Sequence, residues 1–175
     1  MKIALAVLII ALAAGCACAK QAEAIDQVGL GAYLITEKTP DFDPDPGWAI
    51  SYFHLAPRNW YTSVELGLYD ATVFYTPPQP GPARAAAKVD VTTWAATIGR
   101  AVRSRDGKSY LGAGIGWLVD KDVDLGYGVR FDSNTRIGWE VIAGTVKAPV
   151  GVQVRYRDGG MPPNTGVSAA LTFSW

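Results

Sequence analysis

The chain has 175 residues, and its 16 Lys and Arg exactly offset by 16 Asp and Glu give a formal net charge of zero. No basic excess therefore points to nucleic acid as a partner. One histidine and two cysteines leave little material for a zinc site. Nothing beyond the N-terminus is apolar for long enough to make a transmembrane helix, so any membrane crossing must be made by strands closed into a barrel.

The N-terminus reads as an export signal. Lys2 supplies a short positive region, and Ile3 to Ala14 is an uninterrupted apolar run. Ala17-Cys18-Ala19 has the small-residue pattern of a cleavage site, which predicts a signal peptide over 1–19 and a mature chain over 20–175. A lipoprotein signal competes, with lipidation at Cys16, because Ala13-Ala14-Gly15-Cys16 resembles a lipobox. Its Leu12, however, stands four residues before the cysteine where three is preferred. Cleavage after Ala19 removes Lys2 and both cysteines, leaving 15 basic and 16 acidic residues, net −1. A secreted domain without a disulfide needs either a good core or a bilayer around it.

From there the chain alternates with a period of two, the signature of strands. Gln27 to Glu37 sets Val28, Leu30, Ala32 and Leu34 against Gly29, Gly31, Tyr33 and Ile35. Residues 40–47, rich in Pro and Asp, read as a strand-breaking acidic loop. A second strand, about Trp48 to Ala56, has no clear facing and turns at Pro57-Arg58-Asn59. Trp60 to Tyr75 sets Val64, Leu66 and Leu68 against Ser63, Glu65, Gly67 and Tyr69. After a proline-rich loop, a fourth strand from about Val89 to Arg103 sets Trp94, Ala96 and Ile98 against Thr93, Ala95, Thr97 and Gly99.

Ser104 to Lys108 is a short turn centred on Asp106-Gly107. Tyr110 to Asp120 then alternates Leu111, Ala113, Ile115, Trp117 and Val119 with Gly112, Gly114 and Gly116. Lys121 to Arg136 reads mostly as loop. Ile137, Trp139, Val141 and Ala143 oppose Gly138, Glu140 and Gly144. Past a turn near Lys147-Ala148-Pro149, Val150, Val152, Val154 and Tyr156 oppose Gln153, Arg155 and Arg157. The final strand runs to Trp175, with Val167, Ala169, Leu171 and Phe173 at every second position.

Eight strands are therefore joined by connections of alternating length: the first, third, fifth and seventh long, the second, fourth and sixth short. An outer-membrane barrel with both termini in the periplasm has this asymmetry. The predicted fold class is all-β, an eight-stranded antiparallel up-and-down transmembrane β-barrel preceded by a cleaved signal peptide. A soluble barrel would alternate too, but its water-facing side would then carry Gly112, Gly114 and Gly116, a poor face for a strand. On an up-and-down topology Trp60 and Trp175 fall at one rim, and Trp48, Trp117 and Trp139 toward the other. These are the places of two aromatic belts; Trp94 falls deeper.

With this topology and the Val167-Ala169-Leu171-Phe173-Trp175 ending, the chain resembles small eight-stranded bacterial outer-membrane barrels such as that of outer-membrane protein A. The resemblance implies an outer-membrane location and, as partners, outer-membrane lipid, lipopolysaccharide and the barrel-assembly machinery acting through the last strand. No nucleic acid, metal or cofactor is expected.

An eight-stranded interior is just wide enough for side chains to fill. The charged residues of the inner face, Glu65, Glu140, Arg155 and Arg157, are expected to form a lumenal network in which Glu140 and Arg155 lie nearly opposite each other, Arg157 one pleat away and Glu65 joins from across the barrel. His54 is expected at the rim, with Ser51 on the opposite strand face. The segment Arg155 to Gly166 is loosely similar to the end of the outer-membrane lipid A deacylases, in which Pro163-Asn164-Thr165-Gly166 fits one motif. Arg155 and Arg157 stand where that family has histidine and serine, which argues for a related scaffold at most and against the activity. The reading is a non-enzymatic outer-membrane barrel, structural or acting on surface partners through its long loops. The alternatives are a lipid A-modifying hydrolase and a soluble periplasmic ligand-binding barrel.

Overall fold

The computed structural model of the protein describes residues 23–36, 39–76, 84–120, 123–124, 130–131, 134–146, 149–159 and 165–175. The predicted signal peptide, with Cys16, lies outside them. Among the described residues eight long strands form one antiparallel ring: β1 (Ile25–Ile35), β2 (Gly47–Leu55), β3 (Trp60–Tyr75), β4 (Ala85–Arg103), β5 (Ser109–Asp120), β6 (Asn134–Thr145), β7 (Val150–Asp158) and β8 (Gly166–Ser174). Each strand pairs with its sequence neighbours wherever the connection is a short turn or a long loop alike. The ring closes where β1 meets β8, from Gln27↔Ser174 to Ile35↔Gly166. Closure leaves no free sheet edge around the barrel body.

Alternation decides the two faces. Val28, Leu30 and Leu34 of β1, Val64 and Leu68 of β3, Ile98 of β4 and Leu171 and Phe173 of β8 are all exposed on the outside. Their neighbours Gln27, Tyr33, Ser63, Glu65, Thr97, Ser168 and Thr172 are buried inside. The facing of β2, ambiguous in the sequence, is settled by its register with β1 and β3: Ala49, Ser51, Phe53 and Leu55 point in, and Trp48, Ile50 and Tyr52 point out. Both faces of this strand are apolar because its inner half joins a lumenal apolar cluster.

The interior is layered. Toward the short-turn end, Ile25, Phe53, Leu55, Tyr61, Ala101, Tyr110 and Ile142 pack together, with Phe53 stacked on Tyr110 at a centroid distance of 4.7 Å. Toward the other end lies a second cluster of Tyr33, Ala49, Tyr69, Ala71, Val73, Val89 and Val91. Glycines make the room that the bulky groups need. Gly99 pairs across the ladder with Gly114, and a Cβ on Gly114 would stand 2.5 Å from the Tyr61 hydroxyl.

Three departures from the sequence reading have simple causes. The stretch expected to be an unbroken loop contains a short strand, Phe42–Pro44, which pairs with Ala71 to Val73 of β3. Proline is tolerated there because it lies on an edge, where one row of backbone groups needs no partner. β4 starts at Ala85 rather than near Val89, since Ala85 to Thr92 continue the ladder with β3 past the last β4–β5 pair, Thr93↔Asp120. Within the predicted loop after Asp120, Val123–Asp124 pairs with Arg130–Phe131, and β6 begins at Asn134.

The short turns carry conventional signals. Asn59 takes a φ of 64° in the β2–β3 turn and Gly107 a φ of 70° in the β4–β5 turn, values open to Asn and Gly. Asp106 accepts bonds from the Ser104 hydroxyl at 2.6 Å and from the Lys108 amide at 3.1 Å. Those two donors, the hydroxyl first, hold its carboxyl below the usual aspartate range. A depressed folded-state value means the turn is stabilised above the unfolded-state value and loses that contribution as pH falls through the folded one. Acid titration of folded protein should therefore loosen this turn only below the normal aspartate range. Asp106→Asn should abolish that acid step, as read by amide exchange at Gly107 and Lys108.

Candidate functional site

Four charged side chains meet in the middle of the lumen: Glu65 from β3, Glu140 from β6, and Arg155 and Arg157 from β7. Arg155 and Arg157 are two residues apart on one strand, so alternation aims both guanidinia inward. Two like charges held in parallel in a narrow interior need two carboxylates. One comes from the neighbouring strand and one from across the barrel. Arg157 bridges Glu65 at 2.9 Å and Glu140 at 3.3 Å. Arg155 lies 3.5 Å from Glu65 and 3.7 Å from Glu140. None of the four is more than 3% exposed.

The register corrects the expected pairing. Arg157 is directly opposite Glu140 and Arg155 is opposite Ile142, so Arg155 is the diagonal partner. The reason is the β6–β7 connection. Val150 to Val152 do not pair with β6, and the Val152 amide instead donates to the Thr145 hydroxyl at 3.0 Å. That shifts the ladder by one pleat relative to a turn centred on Lys147-Ala148.

Hydroxyls complete the carboxylates. Thr97 and Ser63 donate to Glu140 at 2.6 and 3.0 Å, and Ser168 donates to Glu65 at 2.8 Å. The bonding continues toward the short-turn end. Arg155 donates to Gln153 at 2.9 Å, Gln153 to the Tyr110 hydroxyl at 2.6 Å, and Tyr110 to Gln27 at 2.8 Å. Gln27 in turn donates to Thr145 O and to Ser174 Oγ, each at 2.9 Å. The sequence reading missed Ser63, Thr97, Gln153, Ser168, Tyr110 and Gln27 as members. Strand parity places all six on the inner face, so parity was the available signal; charge drew attention to only four.

No family model matches the chain, and no curated protein matches it. Solved structures similar to it include two of the Yersinia pestis outer membrane protein Ail. The backbone structure in a phospholipid bilayer nanodisc has a TM-score of 0.48 and 13% sequence identity, covering 87% of this chain and 100% of that one. The crystal structure of Ail, the attachment invasion locus protein, in complex with the heparin analogue sucrose octasulfate has a TM-score of 0.45 and 12% identity. It covers 87% of this chain and 99% of that one.

Elsewhere the surface is simpler. His54 faces outward near the short-turn end and pairs with Asp26 at 2.9 Å, while the Tyr52 hydroxyl donates to the same carboxylate. An orienting acid is therefore present, but Ser51 points into the lumen and cannot serve this histidine as a nucleophile. Among the described residues no group of three or more His, Cys, Asp or Glu could hold a metal ion. Pro163 and Asn164 of the deacylase-like segment lie outside the described residues, and Arg155 and Arg157 are committed to the lumenal cluster.

Of the tryptophans, Trp48, Trp60, Trp117 and Trp175 are exposed on the outer face, as is Trp94. Trp139 also points outward but is half-buried, its ring 5.3 Å from that of Tyr156. Trp60 opens β3 at the short-turn end and Trp175 follows β8 at the same end. Trp48 and Trp117 stand near the opposite ends of their strands.

Proposed function

We propose that the chain is an integral outer-membrane β-barrel without enzymatic activity. In this reading its lumen is plugged by the buried ionic cluster and its surface role is carried by the four long connections. The observation that carries the reading is the inverted distribution of polarity. Leu30, Ile115 and Leu171 are each more than half exposed on the outside, while Glu140 and Arg155 are at most 1% exposed inside. A barrel in water would bury the first set and solvate the second. A continuous apolar outer face of this kind is far larger than soluble monomers expose, and a bilayer is the medium that accepts it. The same distribution disfavours a soluble barrel with an apolar ligand, because its cavity is already occupied by arginine, glutamate and tyrosine side chains.

Charge narrows the surface partner. The four long connections, residues 36–46, 76–84, 121–133 and 159–165, hold seven acidic and four basic residues, a net charge of −3. A sulfated polyanion such as the one bound in the Ail crystal structure would meet repulsion there. Lipopolysaccharide bridged by divalent cations, or a cationic protein surface, suits that charge.

Expressed in a Gram-negative host, the protein should fractionate with the outer membrane and migrate differently in detergent gels before and after boiling, because a closed barrel resists unfolding by detergent alone. Recovery in the soluble periplasmic fraction would overturn the reading.

A further inference from the structure

The short-turn end has the opposite charge to the loop end, and its arginines lie on one arc of the rim, from the β2–β3 turn through the end of β4 to the β4–β5 turn. Residues 56–59, 104–108 and 146–149, the three short connections, hold four basic residues and one acidic residue. The end of β4 adds Arg100 and Arg103. Backbone bonds bring these pieces together: the Ala101 amide donates to Asn59 O at 2.9 Å, and Trp60 pairs with Arg100 in the β3–β4 ladder. Arg103 reaches back to donate to Leu55 O at 3.3 Å. Arg58 and Arg105 flank this arc from the two turns.

Among the described residues none of Arg58, Arg100, Arg103 and Arg105 forms an ion pair with a carboxylate. The nearby acids are engaged: Asp26 by Tyr52 and His54, and Asp106 by Ser104 and the Lys108 amide. Glu23 lines the cleft at the barrel mouth beside Arg103 without pairing with it. Arg100 projects from the outer face with its guanidinium 5.3 Å from the centroid of the Trp60 ring. A flat cation seated on an exposed interfacial tryptophan, with no carboxylate partner among the described residues, is placed to receive an oxyanion from outside the chain.

We infer that this arc is a binding site for the headgroup of an anionic glycerophospholipid. With the barrel spanning a bilayer as proposed above, Trp60 marks the headgroup level of the periplasmic leaflet, and Arg100 meets the phosphate there while Arg58 and Arg105 supply the surrounding positive field. A zwitterionic headgroup would leave that surplus charge uncompensated; a net anionic one neutralises it.

The test uses the full mature chain refolded into vesicles of phosphatidylcholine alone or mixed with phosphatidylglycerol. Lipid retained on the protein is counted by native mass spectrometry and the urea midpoint is measured in each vesicle. Phosphatidylglycerol should be retained preferentially and should raise the midpoint, with both effects fading at high salt. Removing one interfacial arginine should lower the preference about fivefold, so Arg100→Gln should show that loss and the triple change with Arg58→Gln and Arg105→Gln a larger one. Arg100→Lys should keep most of the preference, and Lys88→Gln, at the other end of the barrel, all of it. A boiled-versus-unboiled gel shift confirms that each variant has folded. Equal retention of the two lipids, an unchanged triple variant, or inorganic phosphate reproducing the effect in phosphatidylcholine would overturn the inference while leaving the membrane-spanning barrel standing. Failure to insert into either vesicle would instead sink the membrane reading, and this site with it.

Discussion

Glu140→Ala is expected to lower the stability of the refolded barrel in detergent by about 3 to 5 kcal/mol, the range for breaking a buried ion pair from one side. Glu140 is fully buried, faces both arginines and accepts from Thr97 and Ser63. Its loss leaves two guanidinia sharing Glu65 alone and two hydroxyls without their acceptor. An exposed pair sets the scale at the other extreme: Lys88 and Asp45, 4.0 Å apart and largely solvated, should contribute about 1 kcal/mol or less. The apolar comparison must replace all four members. Changing only Glu140, Arg155 and Arg157 would strand Glu65, whose cationic partners are those same two arginines. A volume-matched fourfold apolar variant should be far milder than Glu140→Ala. Urea unfolding followed by gel shift measures each one. A Glu140→Ala protein as stable as the parent would mean that the cluster contributes nothing to holding the barrel together.

Gly99→Val should be about as damaging, for a steric reason. A Cβ at Gly99 would stand 2.3 Å from Ala113 O, 2.6 Å from the Gly114 Cα and 2.6 Å from a Tyr61 ring carbon. Two of those neighbours are backbone of the paired strand, and Tyr61 is fully buried against Phe53. Nothing there can yield cheaply. The expected loss is about 3 kcal/mol, the upper end for overpacking, with the β4–β5 ladder the first place to open. Gly107→Ala provides the contrast. Its added methyl meets nothing within 4 Å, and only the positive φ resists it, so the loss should be nearer 1 kcal/mol. Equal urea midpoints for Gly99→Val and Gly107→Ala would show that the close approach of β4 and β5 around Tyr61 does not limit what the lumen accepts.

Most of the strand plan was legible because a barrel between two media writes itself into a period of two. Leu30, Leu66, Ile98, Ile115, Val152 and Leu171 could be assigned a common face without any tertiary information. The position of all three short turns followed from Pro57-Arg58-Asn59, Asp106-Gly107 and Lys147 to Pro149. Parity also placed Glu65, Glu140, Arg155 and Arg157 on one face, since each differs from its outward neighbour by a single residue. Charge sorting between the two ends likewise needs only the sequence and the up-and-down order.

Everything that depends on register or on contact across the ring was beyond the reach of a local pattern. Period two is blind to a slip of two residues, so the sequence could not tell that Arg157, and not Arg155, stands opposite Glu140; the start of β7, paired with β8 but not with β6, decides that. The facing of β2 could not be read because Ile50 and Phe53 are both apolar, and only pairing with β1 and β3 sends the first outward and the second onto Tyr110. Glu65 meets Arg157 from a strand some ninety residues away in the chain, a contact set by the circumference of the barrel. Nor does any local signal place Arg100 on Trp60 beside the turn that carries Arg58. The alternation of side chains across a strand is a property of the backbone and belongs to the sequence. At what stagger neighbouring strands pair, and which inner side chains meet across the lumen, is a property of closing the ring, and only the folded barrel decides it.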